Sequence, residues 1–486
     1  MRTFGELVTP KVLIFDSSDL IFSHSATLPA GRVLRKTKRP GIMNARNFII
    51  LCFVFAVAAC GGNPASNGSP SLLPAAHPNT TTGTPISHIV IMIQENRTYD
   101  NLFATYPNGN GVTHGKMHDG KTIRLKESNL TSQLLPSNSY QGFVVDYDGG
   151  KMDGWDLVYV DGRKCPKCVY KYVNPSQVQP YWTLAQQYVL ADNMFATSTS
   201  GSFNGHQDLI RGDTAVSSTE SLIDFPTHAP WGCDAQPGTT TPLLTTAGQY
   251  IQLGPFPCET YETLRDLLDA KGVSWKYYTP QTIHGTLGGA YWNAFDAIHD
   301  VRYGPEWKTN ISSPEKNVFK DISKGKLPAV SWVIPDGANS DHSGFGRHDT
   351  GPSWVAQVVN ALGNSQYWNS TAIVVVWDDW GGWYDHVPPP QLDYMGLGFR
   401  VPMLIVSPYA RQNVVSHTQY EFGSVLKFVE DTFALGRLNT TDTRANSISD
   451  AFDFAQSPRP FSPIQAKYSR SFFEHQPPSN VPVDDQ

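Results

Sequence analysis

Charge is scarce in this 486-residue chain: Asp, Glu, Lys and Arg make up 16% of it, against roughly 25% in an ordinary soluble domain. No positive excess exists either, since 37 basic side chains face 43 acidic ones for a net charge of −6. A nucleic-acid binder needs a basic surplus to neutralise phosphates, so that class is excluded. The apolar run Phe48–Ala59 has 12 residues, too few to span a bilayer, which takes about 20. No internal repeat is visible. What the chain has instead is 40% hydrophobic and 12% aromatic residues, too many for a disordered segment. It also has 40 glycines and 36 prolines, the composition of a loop-rich enzyme whose sites are built on loops over a rigid scaffold. Length alone allows about three domains, although large α/β enzymes exceed that prior as single units.

The short apolar run follows Arg46 and ends in Val57-Ala58-Ala59-Cys60, the layout of an export signal with a small-residue cleavage site. Small residues directly before Cys60 look like a bacterial lipobox, so residues 43–60 are expected to be a lipoprotein signal with Cys60 lipidated. An ordinary secretory signal with a chance cysteine is the alternative. Residues 61–85, rich in Gly, Asn, Ser, Pro and Thr, read as a flexible tether. Residues 1–42 resemble neither signal nor core, and Met43 is expected to be the true initiator. The expected location is the bacterial cell envelope, anchored to a membrane through that lipid, or the secreted fraction. Four cysteines remain in the mature chain, Cys165, Cys168, Cys233 and Cys258, enough for two disulfides in three possible pairings. Cys233 and Cys258 bracket a loop that their pairing would close. Cys165-Pro-Lys-Cys168 suits a local bridge, a redox pair or half a zinc site. No second CxxC completes a zinc knuckle, so a loop staple is expected.

Beyond residue 86, strand-like and helix-like segments alternate. Ile86–Ile93, Val273–Tyr278, Pro328–Ile334, Thr371–Trp377 and Val401–Val406 are apolar or β-branched runs of the kind buried on both faces of a parallel sheet. Thr260–Ala270, Trp354–Leu362 and Ser424–Leu435 have helical spacing. The pattern predicts an α/β fold with a mostly parallel central sheet flanked by helices. Residues 105–175 and 215–255 are loop-heavy and expected to cap the sheet. The catalytic domain is expected over 86–455 and a loose Pro- and Ser-rich tail over 456–486.

Ligands of open α/β sheets bind beyond the carboxyl ends of the strands, and two strand ends here carry polar clusters. Glu95-Asn96-Arg97-Thr98-Tyr99-Asp100 follows the first strand, and Asp378-Asp379-Trp380-Gly381-Gly382-Trp383-Tyr384-Asp385-His386 follows the most apolar one. Adjacent aspartates leaving a buried strand repel unless a positive charge holds them, and a divalent cation does that readily. The bland reading, a solvated turn with capping carboxylates, weakens when both clusters occur in one α/β chain.

These residues carry a resemblance. Ile89-Val90-Ile91-Met92-Ile93-Gln94-Glu95-Asn96-Arg97-Thr98-Tyr99-Asp100, Trp377 to Pro389 and Phe399-Arg400-Val401-Pro402-Met403-Leu404-Ile405-Val406-Ser407-Pro408 resemble the blocks of the bacterial phosphoesterase family. That family includes phospholipases C and a class of acid phosphatases; the Asp-Asp form is closer to the latter. The resemblance runs from about 86 to 436 and implies an alkaline-phosphatase-like fold. It implies Glu95, Asn96, Asp378 and Asp379 as ligands of one divalent metal ion (Ca, Mg or Zn), with Asn96 also meeting the phosphate. Ser202, in Thr199-Ser200-Gly201-Ser202-Phe203-Asn204-Gly205-His206, falls on the family's nucleophile position. Asn204 replaces a common proline there and is a candidate substrate contact, and the departure leaves Ser200 and Thr199 open as nucleophiles. His342 and His386 are implied as catalytic or orienting groups, with His206 and His348 weaker candidates.

The implied activity is hydrolysis of a phosphate ester, from a small molecule or a phospholipid, through a phosphoserine. A phosphodiesterase or phosphotransferase on the same fold is a rival, as is a non-catalytic surface binding protein that kept the fold. Retention of Glu95, Asn96, Asp378 and Asp379 counts against the binding protein.

Overall fold

A computed structural model describes residues 83–281, 292–344 and 349–479. The signal with Cys60, the segment upstream of it, nearly all of the tether and His348 lie outside the described residues. Eight strands build the central sheet: β1 (His88–Gln94), β2 (Val189–Ala191), β3 (Trp275–Tyr278), β4 (Ile311–Ser312), β5 (Val330–Val333), β6 (Thr371–Trp377), β7 (Met403–Val406) and β8 (Val414–Ser416). Their spatial order is β4-β3-β5-β1-β6-β7-β2-β8. Every residue of β1, β5, β6 and β7 is buried, as their continuous apolar sequences require of strands covered on both faces. Among the described residues no helix is long and apolar enough to cross a membrane.

β1 lies between β5 and β6 and runs parallel to both. Its register with β6 pairs His88 with Thr371 and Gln94 with Trp377. The next residue on each chain, Glu95 and Asp378, therefore leaves the sheet side by side. Only β7 departs from the parallel expectation, running antiparallel to β6 and to β2. Periodicity cannot tell direction, because a buried strand is apolar on both faces either way.

The helix Gly351–Gly363 buries Trp354, Val355, Val358, Val359 and Leu362. The helix Phe422–Phe433 opens with a capping box between Glu421 and Ser424, which satisfies amide donors left over at a helix start. A second apolar cluster, with Phe143, Trp155, Val158, Val160, Trp380 and Phe399 at its centre, fills the insertion between residues 112 and 173. The stretch beyond 455 is docked, which corrects the expectation of a loose tail. Ile464 and Phe473 are buried, and Asn360 holds Ile464 at both the carbonyl (2.9 Å) and the amide (2.8 Å). Proline and serine there shape an extended strap whose few apolar residues suffice to anchor it.

Candidate active site

Glu95 and Asp378, delivered together by the β1–β6 register, are both fully buried. The helix Ser202–Arg211 meets them. Gly205 makes the approach possible: a Cβ there would stand 2.5 Å from the Asp378 carbonyl oxygen. One turn of that helix carries Ser202 and His206, four residues apart and so on one face. His206 Nε2 lies 2.8 Å from Glu95 Oε1 and 3.9 Å from Asp378 Oδ2. Glu95, His206 and Asp378 each offer a ligand atom, all within 4.8 Å of one another.

Burial pushes the His206 imidazole down to about 4, with Asp378 only partly opposing. It holds the Asp378 carboxyl well above the usual carboxylate range, and neighbouring Glu95 adds to this. Asp378 Oδ2 is buried without a hydrogen-bond partner. Two buried carboxylates beside a neutral imidazole, with an oxygen left over, fit a divalent cation. Burying carboxylate charge is costly unless it is paired, protonated or held by a metal.

The second half of the site surrounds Asp379. Ser202 Oγ donates to Asp379 Oδ2 at 3.0 Å and lies 3.2 Å from Asn96 Oδ1. Asn138 Nδ2 donates to both Asp379 oxygens at 3.2 and 3.1 Å, and the Gly381 amide donates to Oδ1 at 2.6 Å. The Asn96 amide donates to Asp378 Oδ1 at 3.0 Å, tying the two halves together. The four ligands expected from sequence thus fall into two pairs: Glu95 and Asp378 with His206, Asn96 and Asp379 with Ser202.

Ser202 is the first residue of a ten-residue helix capped by Gly201. Gly and Asn lower helix propensity, but burial of nearly the whole segment overrides that. Ser200 is already engaged, donating to Asn204 Oδ1 at 3.0 Å and accepting from the Asp224 amide at 2.9 Å. Asn204 itself faces away from Ser202, its amide nitrogen donating to Thr214 Oγ1 and the Leu222 carbonyl. That placement corrects its reading as a substrate contact. His342 joins the site through Trp292, whose ring centroid lies 6.1 Å from His342 and 6.3 Å from His206.

His386 is placed in a different group. Its Nδ1 lies 2.7 Å from Asp100 Oδ2, next to Asp385. Arg400 completes that group, bonding both Asp385 oxygens at 2.9 and 3.1 Å. The Arg400 guanidinium supplies positive charge beside the buried Asp100 and Asp385 carboxylates. The disulfides Cys165–Cys168 and Cys233–Cys258 are both formed.

A family model for the Phosphoesterase family matches residues 86–436. The chain belongs to that family. Phospholipase C B of Mycobacterium tuberculosis (strain CDC 1551 / Oshkosh) is 24% identical over 440 residues, covering 78% of this chain and 80% of that protein. Non-specific phospholipase C4 of Arabidopsis thaliana is 24% identical over 418 residues, covering 72% of this chain and 68% of that one. Among solved structures, a protein in the alkaline phosphatase superfamily from Vibrio parahaemolyticus aligns with a TM-score of 0.37 at 12% identity, over 79% of this chain and 76% of that one. As a phosphoesterase the chain is a phosphoric ester hydrolase.

Proposed function

We propose that this phosphoesterase cleaves its substrate in two steps through a phosphoserine at Ser202, with a divalent cation bound by Glu95, His206 and Asp378. The observation that carries the reading is the 3.0 Å hydrogen bond from Ser202 Oγ to Asp379 Oδ2 at a helix N-terminus, beside three buried ligand groups. Asp379 is fixed by Asn138 and Gly381, so it is oriented to take the serine proton. The helix start offers amide donors and a positive dipole end to the phosphoryl oxygens.

In the first step Ser202 Oγ bonds to phosphorus as the bond to the leaving oxygen breaks. The serine proton passes to Asp379 Oδ2, and His342 protonates the leaving oxygen. In the second step a water oxygen bonds to phosphorus, giving its proton to His342, and the Ser202–phosphorus bond breaks. Ser202 then recovers its proton from Asp379. A bound cation supplies charge neutralisation for the phosphoryl oxygens. A histidine beside two carboxylates favours zinc or a similar borderline ion over calcium.

The relatives' names support phospholipids as the substrate class, and small phosphomonoesters are the alternative. Two disulfides support work in an oxidising, exported setting, anchored through Cys60. Acid quenching during turnover is expected to trap phosphate on the peptide bearing Ser202, and Ser202→Ala is expected to trap none while losing most activity. A fully active Ser202→Ala protein with no phosphoenzyme would replace the serine with water as the nucleophile.

A further inference from the structure

We infer that the insertion over residues 140–168 is a docking surface for anionic phospholipid membranes, lying beside the active site. Single exposed apolar residues are ordinary on a protein surface, but a cluster is not. Val144 (43% exposed), Val145 (38%), Leu157 (43%) and Tyr159 (52%) stand open to solvent within sixteen positions of chain. They are neighbours in space as well. The Val145 carbonyl abuts Gly154, where a Cβ would lie only 1.8 Å from that oxygen. The Leu157 amide donates to the Gly154 carbonyl at 2.8 Å. Tyr159 then enters a small hairpin in which it pairs with Lys164.

Charge decides the partner. Arg163, Lys164 and Lys167 are exposed at that hairpin, and the Cys165–Cys168 disulfide closes the turn that carries Lys167. Of the exposed acids nearby, Asp148 is paired with Lys151 at 2.7 Å, and Asp161 accepts from the Leu135 amide at 3.1 Å and keeps its charge. On the hairpin itself, Arg163, Lys164 and Lys167 stand against the single acid Asp161, and these exposed cations beside exposed apolar side chains fit an anionic bilayer surface, where cations meet headgroups and apolar tips enter the interface. The buried cluster of Phe143, Trp155, Val158 and Val160 holds this platform rigid from beneath. The Ser137 amide donates to the Tyr159 carbonyl at 3.1 Å, and the next residue, Asn138, is the one that orients Asp379. A membrane docked here would therefore border the catalytic groups. Only the consequence for lipid turnover rests on the proposed substrate class; docking itself is measured without catalysis.

The test uses the full chain carrying Cys60→Ser, so that no anchor masks the surface. Cosedimentation is measured with phosphatidylcholine vesicles, with and without phosphatidylglycerol, alongside turnover of a soluble aryl phosphate. The parent should bind the anionic vesicles more tightly, and salt should weaken that binding. Arg163→Glu/Lys164→Glu/Lys167→Glu should lower it by about tenfold or more, and Leu157→Ser/Tyr159→Ser should weaken binding to both vesicle types. Soluble turnover should be unchanged in each. If the triple variant also loses soluble turnover, Lys167→Glu alone, on an exposed turn, decides by its vesicle binding. Variants that bind like the parent overturn the inference. So does a parent that binds no vesicles, or apolar substitutions that alter only self-association. A parent that binds vesicles but hydrolyses no phosphate ester would sink the mechanism and leave the docking surface standing.

Discussion

Gly205→Ala tests the site through one methyl group. The added Cβ would stand 2.5 Å from the Asp378 carbonyl oxygen and 3.2 Å from the Asp378 Cβ. The obstruction is backbone, so no side chain can swing aside. To regain an ordinary 3.4 Å contact, helix and strand end must part by about 0.9 Å. Overpacking of this kind costs about 1–3 kcal/mol, offset by about 1 kcal/mol of better helix propensity, so the protein should still fold. The catalytic effect is larger, because Ser202 and His206 ride on the displaced turn while Glu95, Asp378 and Asp379 stay with the sheet. A misplacement near 1 Å costs on the order of 100-fold in rate. The expected result is a loss of about that size in kcat/KM on an aryl phosphate, weaker cation retention by metal analysis, and a modest fall in Tm. A Gly205→Ala protein with parental turnover and metal content would show that the helix and the strand ends do not form one site.

Two further tests reach other parts of the chain. Cys60→Ser is expected to move the protein from the membrane to the soluble fraction in cell fractionation with activity on soluble esters retained; unchanged membrane association would refute the lipid anchor. Burial, with Asp336 adding, pushes the Glu315 carboxyl up to about 8 in the folded protein. Between about pH 4.3, where an unfolded glutamate titrates, and pH 8, the folded state holds a proton that the unfolded state has lost. Stability therefore falls through this window as pH rises. Glu315→Gln removes that loss, so its Tm relative to the parent should climb from pH 5 to pH 8, and a constant difference would show Glu315 to be ionised in the fold.

The sheet was legible because strands covered on both faces leave continuous apolar runs, and β1, β5 and β6 are such runs. Their adjacency was not, since a run such as Ile89–Ile93 says nothing about which neighbour it takes. That adjacency makes Glu95 and Asp378 partners, so the sequence could name both carboxylates but not group them. Asn138 left no signal at all: it sits in an irregular segment whose use is set entirely by contact with Asp379 and with the hairpin at Tyr159. Arg400 was visible as part of a motif, yet its task, neutralising Asp385 and Asp100, depends on two chain segments meeting at a third.

His206 is the most instructive case. Read as part of a Ser-Gly-Ser loop, it has no reason to face the same way as Ser202, and a lone histidine carries little weight. Read as a helix, the four-residue spacing puts imidazole and hydroxyl on one side, and the proposed nucleophile and the proposed ligand share one rigid support. Local propensity argues against that helix, because Gly205 and Asn204 both disfavour it. The same Gly205 lets the helix reach the Asp378 backbone, and Asn204 ties it to Thr214 and Leu222. The residues that weaken the helix as an isolated segment are those that seat it at the strand ends. The local rule is broken at the position where the proposed catalytic groups meet.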